Sequence, residues 1–273
     1  MAFNFPDFPI KRGVSILRCE RRFGTDRHLR MPLSSKYIFL LVWLLLITAA
    51  CRQPTLLEIS ANELVQRSAE RMRDSGGFQF AIERDGAPAF LDPQETISFR
   101  RAIGAYVAPD RALATVRVIG PGIITDIDVI SVAEIQWQTN VVTNVWEELP
   151  PNWGFNPAVL FDDEIGIQAV LLADLTEVQL AEPENLAESE VPDELLYSVT
   201  AVADGDNVYQ MSGFLIGPEQ VTLQLWIMPE TFELVRIVLH EPEPNSEDGE
   251  SIWQVDISHY DELIDIQPPE IDN

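Results

Sequence analysis

Short runs with the composition of β-strands, joined by short turns, fill most of the chain between residues 96 and 260. The links include Pro109-Asp110 and Gly120-Pro121-Gly122, which are typical turn sequences. Because parallel strands need crossover connections of a dozen residues or more, links this short favour antiparallel neighbours. About nine such strands would be hard to close as a flat sheet, so we expect an α+β fold in which a strongly curved antiparallel sheet holds helices against its inner face. The strand candidates are Thr96–Val107, Ala112–Ile119, Ile123–Val132, Glu134–Val142, Leu195–Ala203, Val208–Ile216, Val221–Met228, Leu234–His240 and Trp253–Tyr260. A run of period two, with Phe78, Phe80 and Ile82 on one face, predicts a further strand in front of them.

Two segments carry the signals of helices instead. Ser60, followed three residues later by Glu63, forms a capping box in front of apolar residues at helical spacing. A second helix is expected where Asp162-Asp163-Glu164 precede an apolar run that ends at Leu172, since the helix dipole favours acids in the first turn. By contrast, Asp204-Gly205-Asp206-Asn207 predicts a hairpin turn between two strands.

Charge divides the chain into two parts. The net charge is −26, yet residues 1–50 carry eight basic and three acidic groups, whereas residues 51–273 carry ten arginines and 41 acids. The run Ile38–Ile47 is wholly apolar; it is too short to span a hydrocarbon core of about 30 Å comfortably, but it fits the apolar region of a signal peptide. Lys36 supplies the positive charge in front of it if translation starts at Met31. We therefore expect residues 1–50 to be an N-terminal extension and a signal peptide, with Met31 as the true start.

The end of this segment resembles a bacterial lipobox. Ala49, Ala50 and Cys51 match that motif, while Thr48 departs from the aliphatic residue that is commoner there. The resemblance implies cleavage before Cys51 and attachment of diacylglycerol to its sulfur, which would tether the body through a short N-terminal segment. Cys51 would be the only cysteine of the mature chain, so no intramolecular disulfide could form. Plain secretory cleavage and an uncleaved helix are the alternatives.

Several classes of function are disfavoured by composition and motifs. A chain of net charge −26 has little with which to neutralise nucleic-acid phosphates. Ser258 and His259 are adjacent in a predicted strand, so their side chains should point to opposite faces and not act together as nucleophile and base. Asp204-Gly205-Asp206-Asn207 begins like a calcium loop but lacks the later ligands of an EF-hand. We therefore expect no enzyme, no cofactor, no metal site and no nucleic-acid partner.

Apolar residues inside this acidic body suggest a cavity. A curved sheet with loosely packed helices can leave a concave apolar space, and such spaces bind ligands. The alternative for each residue is ordinary core packing. The candidate lining residues are Ile165, Val170, Leu171, Leu172, Trp137, Phe214 and Trp226.

Several short elements follow one another in a set order and spacing over most of residues 51–273. They are Cys51, Ala61-x-x-Leu64-Val65-x-x-Ser68-Ala69-x-x-Met72, Gly77-Phe78-x-Phe80, Pro109-Asp110-Arg111-Ala112, the Trp146 region, Pro157, Gly166 with Leu171-Leu172, Tyr197-Ser198-Val199, Asp204-Gly205, Leu225-Trp226-Ile227, Thr231-x-x-Leu234-Val235-Arg236 and Ile257-Ser258-x-Tyr260-Asp261 with Ile266-x-Pro268-Pro269. In the order and spacing of these elements, rather than in one motif, the chain resembles the LppX/LprAFG family of bacterial lipoproteins.

The family resemblance implies a half-barrel sheet shaped like the LolA/LolB carriers, with a hydrophobic cavity between sheet and helices. It further implies a lipoprotein that binds and carries acylated lipids or glycolipids and is anchored through Cys51 to the outer face of the cytoplasmic membrane. The absence of lysine and the excess of acid in residues 51–273 depart from what anionic headgroups would require. A lipoprotein chaperone or an envelope-stress sensor of the LolA/LolB/RseB type is the alternative function, and a fully packed structural lipoprotein is a third. A lipid transporter as partner is left open.

Overall fold

The structure is a computed structural model, and it describes residues 58–150, 156–242 and 250–271. The signal peptide, Met31 and Cys51 lie outside the described residues. The helices are α1 (Ala61–Arg73), α2 (Ile167–Ala173) and α3 (Gly205–Met211), with a 3-10 helix at Pro157–Phe161. The strands are β1 (Gly77–Asp85), β2 (Ala89–Phe90), β3 (Ser98–Val107), β4 (Arg111–Gly120), β5 (Ile123–Val132), β6 (Ile135–Thr139), β7 (Trp146–Glu148), β8 (Leu175–Leu180), β9 (Tyr197–Ala203), β10 (Val221–Ile227), β11 (Leu234–Pro242) and β12 (Glu250–Ser258).

The strands of the described residues join one antiparallel sheet. Its order is β7-β6-β5-β4-β3-β1-β12-β11-β10-β9-β8, and β2 pairs with β3 beside this path. The first long strand, β1, lies in the middle against the last strand, β12, with Phe80 opposite Ile257. The sheet stays open, since β7 and β8 form its two edges. The predicted antiparallel α+β fold is confirmed.

The helices show how strongly the sheet curves. Helix α2 contacts the edge strand β8 and also the 3-10 helix, which in turn contacts β4 and β5. In a flat sheet β8 and β5 would lie about 38 Å apart, at ~4.8 Å for each strand spacing. Two helices side by side are only about 20 Å wide. The sheet therefore wraps around the helices, which occupy its concave face as the sequence predicts.

Helix α1 begins and packs as its sequence predicts. The side chain of Ser60 accepts a hydrogen bond from the backbone N–H of Glu63 at 3.2 Å, which satisfies one of the free donors at the helix start. The apolar stripe, including Leu64 and Met72, is buried. On the exposed side Arg67 pairs with Glu63 one turn earlier at 2.5 Å. The helix ends at Arg73, three residues before Gly76 and Gly77.

An aromatic cluster at one side of the core joins the 3-10 helix to the sheet. The Phe161 ring lies edge-on to Phe78 at 4.8 Å between centroids and within 5.2 Å of Phe80 and Tyr106. Such tilted and edge-to-face contacts add stabilisation beyond the apolar area they bury. The Tyr106 hydroxyl donates to the carbonyl of Pro109 at 2.7 Å. Burial, assisted by Asp163, Asp162 and Asp110, raises the pKa of Tyr106 to about 12.

One predicted strand is wrong. Residues predicted as the strand Val208–Ile216 instead form helix α3 and the segment after it. The reason is Asp204, whose side chain accepts from the N–H of Asp206 at 3.0 Å and thereby caps a helix instead of closing a hairpin. Gly205 sits where a Cβ atom would come within 2.2 Å of the carbonyls of Pro218 and Glu219, so only glycine allows this close approach.

The acidic residues expected in the first turn of the second helix lie before that helix instead. Asp162 ends the 3-10 helix, and its carboxylate accepts from the N–H groups of Glu164 and Ile165 in a turn. Helix α2 starts only at Ile167 and spans seven residues. The strands β2, β7 and β8 were not predicted, since each is short or irregular.

The relation of Ser258 to His259 also differs from the prediction. The chain leaves strand β12 at this point, and His259 adopts a φ of +54°. Its Nδ1 therefore lies 2.9 Å from Ser258 Oγ, although strand alternation would have separated the two side chains. Both groups lie outside the concave face, and His259 is exposed. Among the described residues no helix is long and apolar enough to cross a membrane.

Candidate functional site

The concave face encloses an apolar cavity between the sheet and helices α2 and α3. The space between its lining atoms, counting the part that opens to solvent, is about 690 Å³. Most lining side chains are themselves buried, so the cavity is narrow rather than an open cleft. Among the described residues that line the cavity, Ser212 is the only polar one. The lining residues are Ile82, Phe99, Leu160, Ile167, Val170, Leu171, Val208, Met211, Ser212, Leu215, Ile216, Leu223, Ile237, Leu239, Trp253 and Val255.

Strand register builds the wall of this cavity. In β10, β11 and β12 the residues Leu223, Leu239 and Trp253 stand directly opposite one another and form one row. One pleat away, Ile237 stands opposite Val255, and Val255 stands opposite Ile82 of β1. Alternate residues of a strand share a face, so the two rows form a continuous apolar surface across four strands.

The opposite side of the cavity is built from short helices. Ile167, Val170 and Leu171 of α2 face it, as do Val208 and Met211 of α3. The segment after α3 adds Leu215 and Ile216, and the 3-10 helix adds Leu160. These helices form the roof of the cavity, while the sheet forms its wall.

Two of the predicted lining residues lie at the cavity. Val170 and Leu171 line it and are almost fully buried. Leu172, the next residue, is half-buried and packs against the edge of the core. Ile165 precedes the helix and is exposed; it lines a smaller and more polar pocket together with Glu164, Asp174, Asn207 and Gln210.

The three predicted aromatic residues do not line the cavity. Trp226 neighbours Leu225 of the core and therefore points to the convex face, where it packs with Leu196 and Val235. Its indole N–H donates to Glu184 at 2.8 Å.

Trp137 stands opposite Ile130, whose neighbour Val129 faces the core, so Trp137 also lies on the convex side. Phe214 follows α3 with a φ of +73° and remains 65% exposed against the ring of Tyr209.

Sequence reasoning missed most of the wall. Ile82, Ile237, Leu239, Trp253 and Val255 were treated as ordinary strand residues. The available signal was the alternation of side chains along a strand. Residues at even spacing from Leu239 in β11, or from Val255 in β12, point to the same face and therefore face the helices. Which of the two faces would be covered by helices could not be read from strands that are apolar on both faces, such as β11.

A buried ion pair closes one end of the wall. Arg84 Nη2 lies 3.3 Å from Glu241 Oε2, and both side chains are less than 10% exposed. The same carboxylate accepts from the indole N–H of Trp253 at 2.8 Å and from the N–H of Gly217 at 2.7 Å. Glu241 thus fixes a wall residue and the segment that follows α3 to each other.

Most arginines of the described residues have a carboxylate or carbonyl partner. Arg67, Arg71, Arg73, Arg84, Arg100, Arg117 and Arg236 each lie within ion-pair distance of a carboxylate. Arg111 donates to the carbonyl of Ile266 at 2.8 Å. None of these residues lines the cavity.

Comparison with known proteins identifies the family. Residues 60–266 match the family model of the LppX/LprAFG lipoproteins, which covers most of the chain. This chain belongs to that family. No curated protein matched the sequence.

Solved structures of the LppX/LprAFG family share the fold. LprF from Mycobacterium bovis is 12% identical with a TM-score of 0.59, and the match covers 77% of this chain and 96% of LprF. The lipoprotein LppX from Mycobacterium tuberculosis is also 12% identical, with a TM-score of 0.53 and coverage of 76% and 98%. At this identity the likeness shows the common open, antiparallel sheet with helices.

Proposed function

We propose that this protein is a membrane-anchored lipoprotein that binds the acyl chains of lipids or glycolipids in its cavity and carries them at the cell envelope. The observation that carries the proposal is the cavity lining: two adjacent rows of apolar residues on the sheet face an apolar roof, and among the described lining residues Ser212 contributes one hydroxyl. Membership of a lipoprotein family supports it.

The energy of binding comes from burial of methylene groups. Each CH₂ that leaves water for an apolar site contributes about 0.8 kcal/mol, so a chain of several methylenes is held without polar chemistry. The described residues that line the cavity carry no charged side chain, which suits this role, because a buried and unpaired charge would oppose the binding of an acyl chain. Since the cavity is narrow, the roof must move outward when an acyl chain enters.

Anchoring is assigned to Cys51. Nine residues separate Cys51 from the start of α1, and an extended chain of that length reaches about 30 Å at most. An anchor at Cys51 therefore keeps the cavity close to the outer face of the cytoplasmic membrane. We expect Cys51→Ser to release the protein from the membrane fraction, and intact mass measurement of the parent protein to show the added lipid.

The decisive experiment is native mass spectrometry of the protein isolated from its own envelope, followed by titration with a fluorescent fatty acid. A co-purifying lipid, or saturable uptake of the probe, is the expected result. Protein that carries no lipid and takes up no probe would exclude carriage. Recovery of other lipoproteins instead of free lipid in pull-downs would favour a lipoprotein chaperone or an envelope-stress sensor.

A further inference from the structure

An exposed apolar rim lies at the end of the sheet where the cavity is found. It consists of Phe90, Ile119, Ile123, Ile124, Val141, Val142 and Val145, whose exposed fractions run from 39% to 87%. These seven come from three places: the short strand β2, the turn between β4 and β5, and the turn between β6 and β7. We call this set the apolar rim.

Strand register makes the apolar rim continuous. Phe90 stands opposite Ser98, Ser98 opposite Ile119, and Ile119 opposite Ile124, so one row crosses four strands. Val129 stands opposite Gln138, and the same register continued places Val141 level with Asp126 and Val142 level with Thr125, at the base of the β4–β5 turn. The β6–β7 turn therefore lies beside the base of the β4–β5 turn.

The β6–β7 turn is held in shape by its own hydrogen bonds. The side-chain oxygen of Asn140 accepts from the N–H groups of Val142 and Thr143, at 2.9 and 3.1 Å. The backbone N–H of Asn140 donates to the carbonyl of Val145 at 2.9 Å. The valines are thus presented to solvent by an ordered turn. Their exposure is a property of the folded chain.

Charge is missing from the segments that build the apolar rim. Residues 86–91, 118–125 and 135–146 contain no Asp, Glu, Lys or Arg, although 23% of the chain is charged. The ion pair between Arg117 and Asp126, at 2.7 Å, marks the base of the β4–β5 turn. Acids return beyond the rim, at Asp85 and Asp92.

The cavity lies beside the apolar rim. Phe99 lines the cavity and directly follows Ser98 of the rim row. Ser98 and Phe99 point to opposite faces of β3, so the rim and the cavity are the two sides of the same strand end. A surface that the rim contacts is therefore within a few residues of the cavity.

From these observations we infer that the apolar rim enters the surface of a lipid bilayer and brings the cavity to it. The inference rests on the proposed function, because lipid exchange is what such contact would serve. Protruding turns with aliphatic tips and uncharged polar neighbours suit the interfacial zone of a bilayer, and the half-exposed Trp146 at the base of the turn is a residue type enriched there. A second copy of this chain is a poor occupant, since both copies would carry the same large negative charge.

Depth-dependent quenching tests the contact. The protein in its anchored form is reconstituted in phosphatidylcholine vesicles, with an environment-sensitive fluorophore on Val142→Cys and quenching bromines on the lipid chains. Leu263→Cys is the matched control, because Leu263 is a fully exposed aliphatic residue beyond the other end of β12. The parent chain, treated with the same reagent, reports any labelling at Cys51. We expect blue-shifted and strongly quenched emission at position 142, weaker quenching when anionic lipid is added, and neither effect at position 263. Equal emission from the two labels, quenched or not, would overturn the inference.

Transfer kinetics separate this inference from the proposed function. The double substitution Ile124→Ser and Val142→Ser removes several carbon atoms that would lie in the bilayer, so lipid transfer between vesicles should slow by about tenfold or more. Saturable uptake of a soluble fatty-acid probe should stay unchanged, since neither residue lines the cavity. Leu263→Ser should alter neither quantity. An unchanged transfer rate in the double variant overturns the rim contact, whereas absence of probe uptake in the parent overturns the cavity function itself.

Discussion

Filling the cavity from its wall should abolish acyl-chain binding. Val255 is the residue to change, since it lies in the middle of β12, between Ile237 on one neighbouring strand and Ile82 on the other. Val255→Phe adds four carbon atoms to a side chain that faces the cavity. A bound chain would lose the room of about four methylenes, at ~0.8 kcal/mol each, so the expected loss is ~3 kcal/mol, or about 100-fold in Kd.

The neighbouring residue supplies the control. Gln254→Phe places the same ring on the same strand but on the convex face, where Gln254 Nε2 now donates to Asp256 at 2.8 Å. Titration with a fluorescent fatty acid measures Kd for both variants, and urea unfolding shows that each is folded. Val255→Phe is expected to cost about 1–3 kcal/mol of unfolding free energy through overpacking. Unchanged affinity in Val255→Phe, or an equal loss in Gln254→Phe, would refute the assignment of this wall as the binding surface.

Two further predictions concern stability. Hydrogen bonds from the backbone N–H of Gly76 and from the side chains of Arg71 and Ser75 lower the pKa of Asp261, so its contribution is present above pH ~4 and is lost as the pH falls through the lowered value. Asp261→Asn should therefore lower the urea midpoint more at pH 7 than at pH 3; an equal drop at both pH values would contradict this. Gly104→Ala would place a Cβ atom 2.1 Å from the Leu113 carbonyl oxygen and 2.7 Å from the Phe80 ring, so calorimetry should show a loss of at least about 1–3 kcal/mol, and an unchanged melting temperature would count against it.

Most long strands could be predicted because turn residues mark their ends in the sequence. The strand Ile123–Val132 was predicted with the bounds that the structure shows, since Gly120-Pro121-Gly122 precedes it and a tight turn follows. Strand β8 carried no such signal, because Glu177 adopts a positive φ and the pairing register shifts after Thr176. Its pairing with β9 comes from tertiary contact rather than from local sequence.

Helix α3 shows where local sequence supports two answers. Asp204-Gly205 suits a hairpin turn as well as a helix start, and Val208 to Ile216 is apolar enough for either element. The close approach of Gly205 to the carbonyl of Pro218, 13 residues later in the chain, accompanies the helical choice. A contact between residues this far apart in the chain cannot be predicted from a short stretch of sequence.

The three aromatic residues predicted to line the cavity lie elsewhere for a different reason. Tryptophan was taken as a sign of the cavity, yet a strand buried on both faces places its large residues on either side. Trp226 and Trp253 lie in nearby strands of the sheet but on opposite faces. The indole N–H of Trp226 donates a hydrogen bond to Glu184, and that of Trp253 donates to Glu241. The face on which each tryptophan lies follows from its even or odd spacing to a residue of the same strand that faces the helices. Which residue faces the helices is known only from the packing of the folded chain.

Wall and roof differ in how they can respond to a ligand, and this decides where the cavity is best probed. The four wall strands, β1, β12, β11 and β10, are each paired with a neighbouring strand on both sides. A wall residue therefore cannot move away from the cavity without breaking the hydrogen bonds to two neighbouring strands. The roof consists of α2 and α3, with seven residues each, and helices this short depend on packing because they are marginal alone. A larger residue placed on the roof could be relieved by a shift of its helix, and binding would survive for a trivial reason. A larger residue at Val255 cannot retreat with its strand, so its added atoms stay in the cavity and compete with a bound chain for the same space.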